Sequence, residues 1–162
     1  MTIKFYHDLM QGSQEWFDVR TGIITASQVK LILSKKLAKV NNEKSRAHVH
    51  EIAAQREMQH IEETFDTWAM QRGKIEEIYA KDLYSKNYDQ VKDCGFITND
   101  KLGFMMGCSP DALVIGKEEG MEVKSRNQKL QMKVISEDEV PEDDMLQVQS
   151  CLFVSEFVAW NY

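Results

Sequence analysis

The sequence predicts an α/β or α+β domain, and three observations carry that prediction. Residues 43–63 are rich in Ala, Glu, Gln and Met and contain neither Gly nor Pro, which favours helix. After Asn87 the texture changes to short apolar runs bounded by Gly, Asp and Ser, as in a meander of buried strands. A further helix-like segment and a strand-like ending then close the chain, so helices come first, a sheet follows, and helix and strand finish it.

In chain order, a short helix around 13–20 carries Trp16 and Phe17. Thr25 and Gln28 have the spacing of a capping box ahead of the apolar run VKLIL, which predicts a helix over 26–34. Residues 35–46 are polar and basic and read as loop before the 43–63 helix is established. Thr67 is placed to cap a second long helix to about 86, with Trp68, Tyr79 and Leu83 among its larger apolar positions. Val91–Thr98 is strand-like and is followed by the turn signals Asn99-Asp100 and Gly103. The runs GFMMG, DALVIG and GMEVKS are three more strands, the acidic stretch 137–144 leads into a helix over MLQVQSCLFVS, and FVAWNY is a final strand.

At 162 residues, 43% apolar and 28% charged, the chain is expected to be one domain spanning 1–162 with a real core. No apolar run approaches the ~18–20 residues that cross a bilayer, so no membrane span is expected. The first residues lack a basic segment followed by an apolar one, which argues against a secretory signal. Cys94, Cys108 and Cys151 are isolated, which points to a reducing compartment, with cytoplasm as the expected location, and away from a disulfide framework. The net charge of −6 by itself disfavours a nucleic-acid binder, but it is unevenly spread: residues 1–50 hold 8 Lys/Arg against 4 Asp/Glu. A basic lobe beside an acidic body suits a molecule in which polyanion contacts and metal-binding carboxylates coexist. His48, His50 and His60 have no partner spaced to complete a transition-metal site and read as solvated helix residues.

The strongest constellation is Ser109-Pro110-Asp111 followed after ten residues by Glu122-Val123-Lys124. On a strand, side chains alternate, so Glu122 and Lys124 share a face. Asp111, just after a proline turn, can present its carboxylate to the same spot. Two carboxylates beside an ammonium suit Mg²⁺, which takes oxygen ligands and keeps waters for a phosphate substrate. The arrangement resembles the PD…(D/E)xK nucleases of restriction-endonuclease-like fold, although Glu-x-Lys alone recurs often by chance. Three further motifs flank it: Trp16-x3-Arg20-x-Gly22-x2-Thr25-Ala26-Ser27, Arg72-Gly73-x3-Glu77-x2-Ala80-Lys81, and Gln147-Val148-Gln149. In this order, over about residues 12–162, they resemble the lambda exonuclease / YqaJ family of viral alkaline exonucleases.

The resemblance implies a restriction-endonuclease-like core, a central mixed β-sheet flanked by helices with an N-terminal helical part. It implies Asp111 and Glu122 as metal ligands, Glu77 as a further carboxylate, Lys124 orienting the attacking water and Gln147 at the active-site edge. Mg²⁺ is the implied cofactor, with Mn²⁺ as substitute. Arg20 and Ser27 correspond to a pocket for a 5′-terminal phosphate, and Lys35 is a candidate backbone contact. Ser27 follows the Thr25 cap, where free N–H groups already favour an anion, and Arg20 supplies a fork that suits phosphate. The implied activity is 5′→3′ degradation of double-stranded DNA ends in recombination, with the 3′ overhang passing to a single-strand annealing protein. Its rivals are a module that holds DNA ends without cutting and an endonuclease or single-strand nuclease on the same fold. Position 81 carries Lys where the family usually has Arg. The chain also stops at Tyr162, where lambda exonuclease continues, and this departure weighs against the relatives' homo-oligomeric ring, a trimer, more than against the metal chemistry.

Overall fold

The computed structural model describes residues 2–62 and 67–162. Its elements run β1 (Ile3–Tyr6), α1 (Gln14–Arg20), β2 (Ile24–Thr25), a 3₁₀ helix (Ala26–Leu31), α2 (Glu43–Met58), α3 (Trp68–Asn87), β3 (Val91–Lys92) and β4 (Phe96–Asn99). They continue with β5 (Met106–Cys108), β6 (Ala112–Val114), β7 (Glu119–Met121), α4 (Gln128–Glu137), α5 (Glu142–Ser155) and β8 (Ala159–Asn161). The mixed α/β class is as expected. The expected central sheet is present as two four-stranded mixed sheets, in the orders β1-β4-β5-β2 and β3-β6-β7-β8.

Two breaks in the chain create this division. The expected strand 91–98 is two strands, one in each sheet, because Gly95 passes against Leu9: a Cβ there would lie 1.9 Å from the Leu9 carbonyl oxygen. Between β5 and β6, Pro110 has no N–H to donate, so the ladder is interrupted at Ser109-Pro110 and resumes where the Asp111 N–H donates to the Met121 carbonyl at 3.1 Å. Gln11 ties the two breaks together, its amide donating to the Cys94 carbonyl at 3.2 Å and the Pro110 carbonyl at 2.8 Å. The seam between the sheets is therefore a built feature, and the Ser-Pro-Asp motif lies in it.

Local chemistry explains most helix starts. Ser13 caps α1, Thr67 caps α3 by accepting the Met70 N–H at 3.2 Å, and Asn42 and Ser45 form a reciprocal box at α2. The helix expected over 26–34 is a shorter 3₁₀ helix, and Gln28 Oε1 accepts from both the backbone and the hydroxyl of Thr25. The helix expected over 43–63 ends at Met58, where Gln59 turns left-handed, and position 63 lies outside the described residues. Helix α5 begins earlier than its apolar run, at Glu142 behind Pro141.

The core lies where α5 covers the first sheet and the 3₁₀ helix. Ala26, Val29, Ile97, Met106, Cys108, Leu113, Cys151 and Val154 pack there. All four residues of β4 are buried, as befits an inner strand. Cys94, Cys108 and Cys151 are free and buried. Among the described residues no helix is long and apolar enough to cross a membrane.

Candidate active site

Strand β7 ends at Met121, but the chain stays extended, and the Glu122 N–H donates to the Asn161 carbonyl at 2.9 Å. Glu122 and Lys124 consequently share a side: Lys124 Nζ donates to Glu122 Oε1 at 2.6 Å and to Gln147 Oε1 at 2.9 Å. Gln147, on α5, returns its amide N–H to the same Glu122 oxygen at 2.6 Å. Asp111 faces this group from the seam, with Oδ2 accepting the Val123 N–H at 2.5 Å. Carboxylate, ammonium and amide thus form a closed triangle, with a second carboxylate beside it.

The electrostatics are strained in a telling way. Glu122 is 5% exposed, and its Oε2 is buried without a hydrogen-bond partner. Burial raises the Glu122 pKa even with Lys124 opposing. Burial, then the charges of Glu122 and Glu77, push Asp111 from 3.8 up to about 7. A hard divalent cation removes such repulsion and satisfies the orphaned oxygen, so the donor set fits one. Among the described residues no three His, Cys, Asp or Glu side chains form a ready-made metal cage. The set is partial and all oxygen, the kind that leaves coordination positions for water and substrate.

Glu77 enters from α3. Its carboxylate pairs with Lys81 at 2.9 Å, one turn along the helix. Lys81 also meets Asp93 at 2.9 Å and donates to the Asp111 backbone carbonyl at 3.3 Å. Burial opposes its charge, but Asp93 and Glu77 outweigh that and raise its pKa. Lys81 therefore straps α3 to the seam beside Asp111.

A cleft of about 920 Å³ runs from Asp111, Glu77 and Lys81 to Trp16, Arg20 and Thr25. Arg20 stacks 3.8 Å above the Trp16 ring, and its guanidinium donates to Ser109 Oγ at 3.0 Å. Trp16 Nε1 donates to the same Ser109 oxygen and to the Gly95 carbonyl, each at 3.1 Å. Burial brings the Arg20 pKa down to about 10, which leaves it charged at neutral pH. Ser27 stands apart: it is exposed, its hydroxyl lies 3.3 Å from Thr25 Oγ1, and it is not among the cleft-lining residues, whereas Thr25 and Gln28 are. Lys35 lies at the start of α5, paired with Glu142 at 2.7 Å and Asp143 at 3.2 Å. His48 is buried against Glu51 at 2.9 Å rather than solvated.

Gln11 and Asp93 escaped the sequence reading, because only the fold brings them to the seam. Ser109 was visible in the Ser-Pro-Asp triplet, but its role as hinge between Trp16 and Arg20 was not.

An aspartate after proline and a Glu-x-Lys beyond the next strand, on mixed sheets flanked by helices, define the class of PD…(D/E)xK folds. Within it, the chain belongs to the family of YqaJ-like viral recombinase domains, whose model matches residues 15–158. The fold is similar to that of an alkaline exonuclease, LHK-Exo, from Laribacter hongkongensis. The TM-score is 0.73 at 23% identity, over 92% of this chain and 74% of that one. A second structure of LHK-Exo, in complex with dAMP, gives TM-score 0.73 at 25% identity over 90% and 70% of the two chains. No curated protein sequence matches the chain.

Proposed function

We propose that the chain is a divalent-metal-dependent exonuclease that degrades double-stranded DNA 5′→3′ from a 5′-phosphorylated end and leaves 3′ single-stranded overhangs. The observation that carries this reading is the buried Glu122, closed by Lys124 and Gln147, beside Asp111, which lines one end of a cleft whose other end holds Arg20. The family and the likeness to an alkaline exonuclease support it. Asp111 and Glu122 would hold Mg²⁺, or Mn²⁺ in its place, with Glu77 near; the ion supplies Lewis-acid polarisation of phosphate and water.

The chain's own groups do the rest. Lys124 sets a positive charge where negative charge develops on an attacking water, which lowers the cost of removing its proton. Gln147 fixes the Glu122 oxygen and the Lys124 ammonium relative to each other, so neither reorients during the reaction. Arg20, held flat by Trp16 and pinned by Ser109, offers a fork to a terminal phosphate monoester. The overhang left behind is the substrate class of a single-strand annealing protein, which we propose as partner.

The test compares matched linear duplexes with 5′-phosphate and 5′-hydroxyl ends, and a closed circle, in Mg²⁺. The expected result is nucleotide release from linear DNA only, faster from the phosphorylated end. Charged hydrogen bonds contribute roughly 1.5–3 kcal/mol each, so the preference is about tenfold to hundredfold, and Arg20→Ala erases it. Cutting of the circle would make the protein an endonuclease. Binding of ends without any release would leave only an end-holding module.

A further inference from the structure

Behind the catalytic triangle lies a second closed group that neither the motifs nor the proposed chemistry uses. Arg126 follows Lys124 by two residues on the segment after β7. Its NH2 donates to Asp144 Oδ2 at 2.7 Å, and the Tyr162 hydroxyl donates to the same oxygen at 2.6 Å. The guanidinium also lies over the Tyr162 ring, 4.9 Å from its centroid. The Arg126 and Asp144 side chains are only 12% and 20% exposed, so this pair is sheltered, unlike the surface pairs of Lys35.

We propose that Arg126, acting through Asp144 and Tyr162, is a positioning residue that sets the Gln147 amide against Glu122 and Lys124; this rests on the reading of those three residues as the hydrolytic centre. Asp144 and Gln147 are three residues apart on α5 and share one helix face. Lys124 and Arg126 are two apart in the chain, and both side chains reach α5, at Gln147 and Asp144. The helix rise between Asp144 and Gln147 is about 4.5 Å. One face of α5 therefore docks along the 122–126 segment at two points, Gln147 on Glu122 and Lys124, and Asp144 on Arg126. Buried Val148, Cys151 and Val154 hold the body of α5 on the core, and the Asp144–Arg126 bond fixes its N-terminal part, from which Gln147 reaches Glu122, against the 122–126 segment.

Direct contact of Arg126 with DNA is the competing use. Its fork is engaged with Asp144, its plane lies on Tyr162 and little of it is exposed, all of which favour a role inside the protein. A planar, stacked fork is also a job lysine does poorly. Asp144 adds negative charge near Glu122, and Arg126 compensates it while using it as a handle.

The test uses the full chain with Arg126→Met, Arg126→Lys, Tyr162→Phe and the double variant Arg126→Met/Asp144→Asn. On a phosphorylated linear duplex, Arg126→Met is expected to lower kcat about tenfold or more, with KM within about twofold of the parent. Tyr162→Phe gives a smaller loss. The double variant no longer buries an unpaired carboxylate, so its thermal stability returns towards the parent while kcat stays low; a merely structural role would restore both. In the metal-free protein, the side-chain amide resonances of Gln147, assigned by their loss in Gln147→Glu, shift or broaden in Arg126→Met and return partway in Arg126→Lys. Unmoved Gln147 resonances, or a raised KM at unchanged kcat, would overturn the proposal, the latter marking Arg126 as a phosphate contact. If the parent protein cleaves nothing, the nuclease reading fails, and the amide resonances still decide whether Arg126 positions Gln147.

Discussion

Asp111 burdens the fold that holds it. In the unfolded chain a carboxylate ionises near 3.8, whereas burial, Glu122 and Glu77 hold Asp111 up to about 7. From pH 4 upward the unfolded state loses its proton first, so the native state is progressively penalised until pH passes about 7 and the penalty levels off. A shift of this size corresponds to roughly 2–4 kcal/mol once partial solvent access is discounted. Asp111→Asn keeps an oxygen for the Val123 N–H and removes the charge. It is therefore expected to melt higher than the parent at pH 8 without divalent cation, by about 5–10 °C for a chain of this size. The gap should close below pH 4 and on adding Mg²⁺ to the parent. Equal or lower melting of the variant at pH 8 in scanning calorimetry would show that the site is not under this strain.

At the scale of elements, the seam is held by close approach rather than by ladder bonds. Gly95→Ala drives a Cβ onto the Leu9 backbone at 1.9 Å, where neither backbone segment can yield cheaply. It is expected to cost about 3 kcal/mol in urea unfolding and to impair the site, because the Gly95 carbonyl accepts from Trp16. Gly73→Ala is the contrast. It lies inside α3 with its nearest outside neighbour, Ser125 Cβ, at 3.7 Å, and should gain about 0.5–1 kcal/mol. A neutral Gly95→Ala would mean the two sheets are not locked there. The same contrast explains what was legible in the sequence. The Thr67 cap and the Thr25–Gln28 pair act over three residues and show in the string, as does the Asp111, Glu122 and Lys124 spacing. β1 and β2, of four and two residues, are too short to display alternation and exist only through pairing with β4 and β5. The Gly95 break depends on Leu9, far away in sequence, and α4 is fully or partly exposed along its length, with no apolar stripe packed on the core to announce it. Arg126 and Asp144 were invisible because their partnership spans two elements.

On the scale of the whole molecule, the carboxylates of Asp111 and Glu77 and the half-buried Arg20 line one cleft along the seam. In the proposed reading the Asp111–Glu122 pair serves hydrolysis, and the Arg20–Trp16–Ser109 group serves choice of end. Of the basic residues of the first fifty, Arg20 lines this cleft, and Lys35 is engaged with Glu142 and Asp143. The decisive measurement is the rate of nucleotide release from a phosphorylated linear duplex in Mg²⁺, taken with duplex affinity, for the parent and for Glu122→Gln. The substitution keeps the shape of a side chain that is 5% exposed and already bonded to Lys124 and Gln147, so folding survives and only the charge is lost. The expected result is release slowed by about a thousandfold or more, with duplex affinity equal to or tighter than the parent because a charge repelling phosphate has gone. Release by Glu122→Gln at near the parent rate would contradict the assignment of the hydrolytic centre.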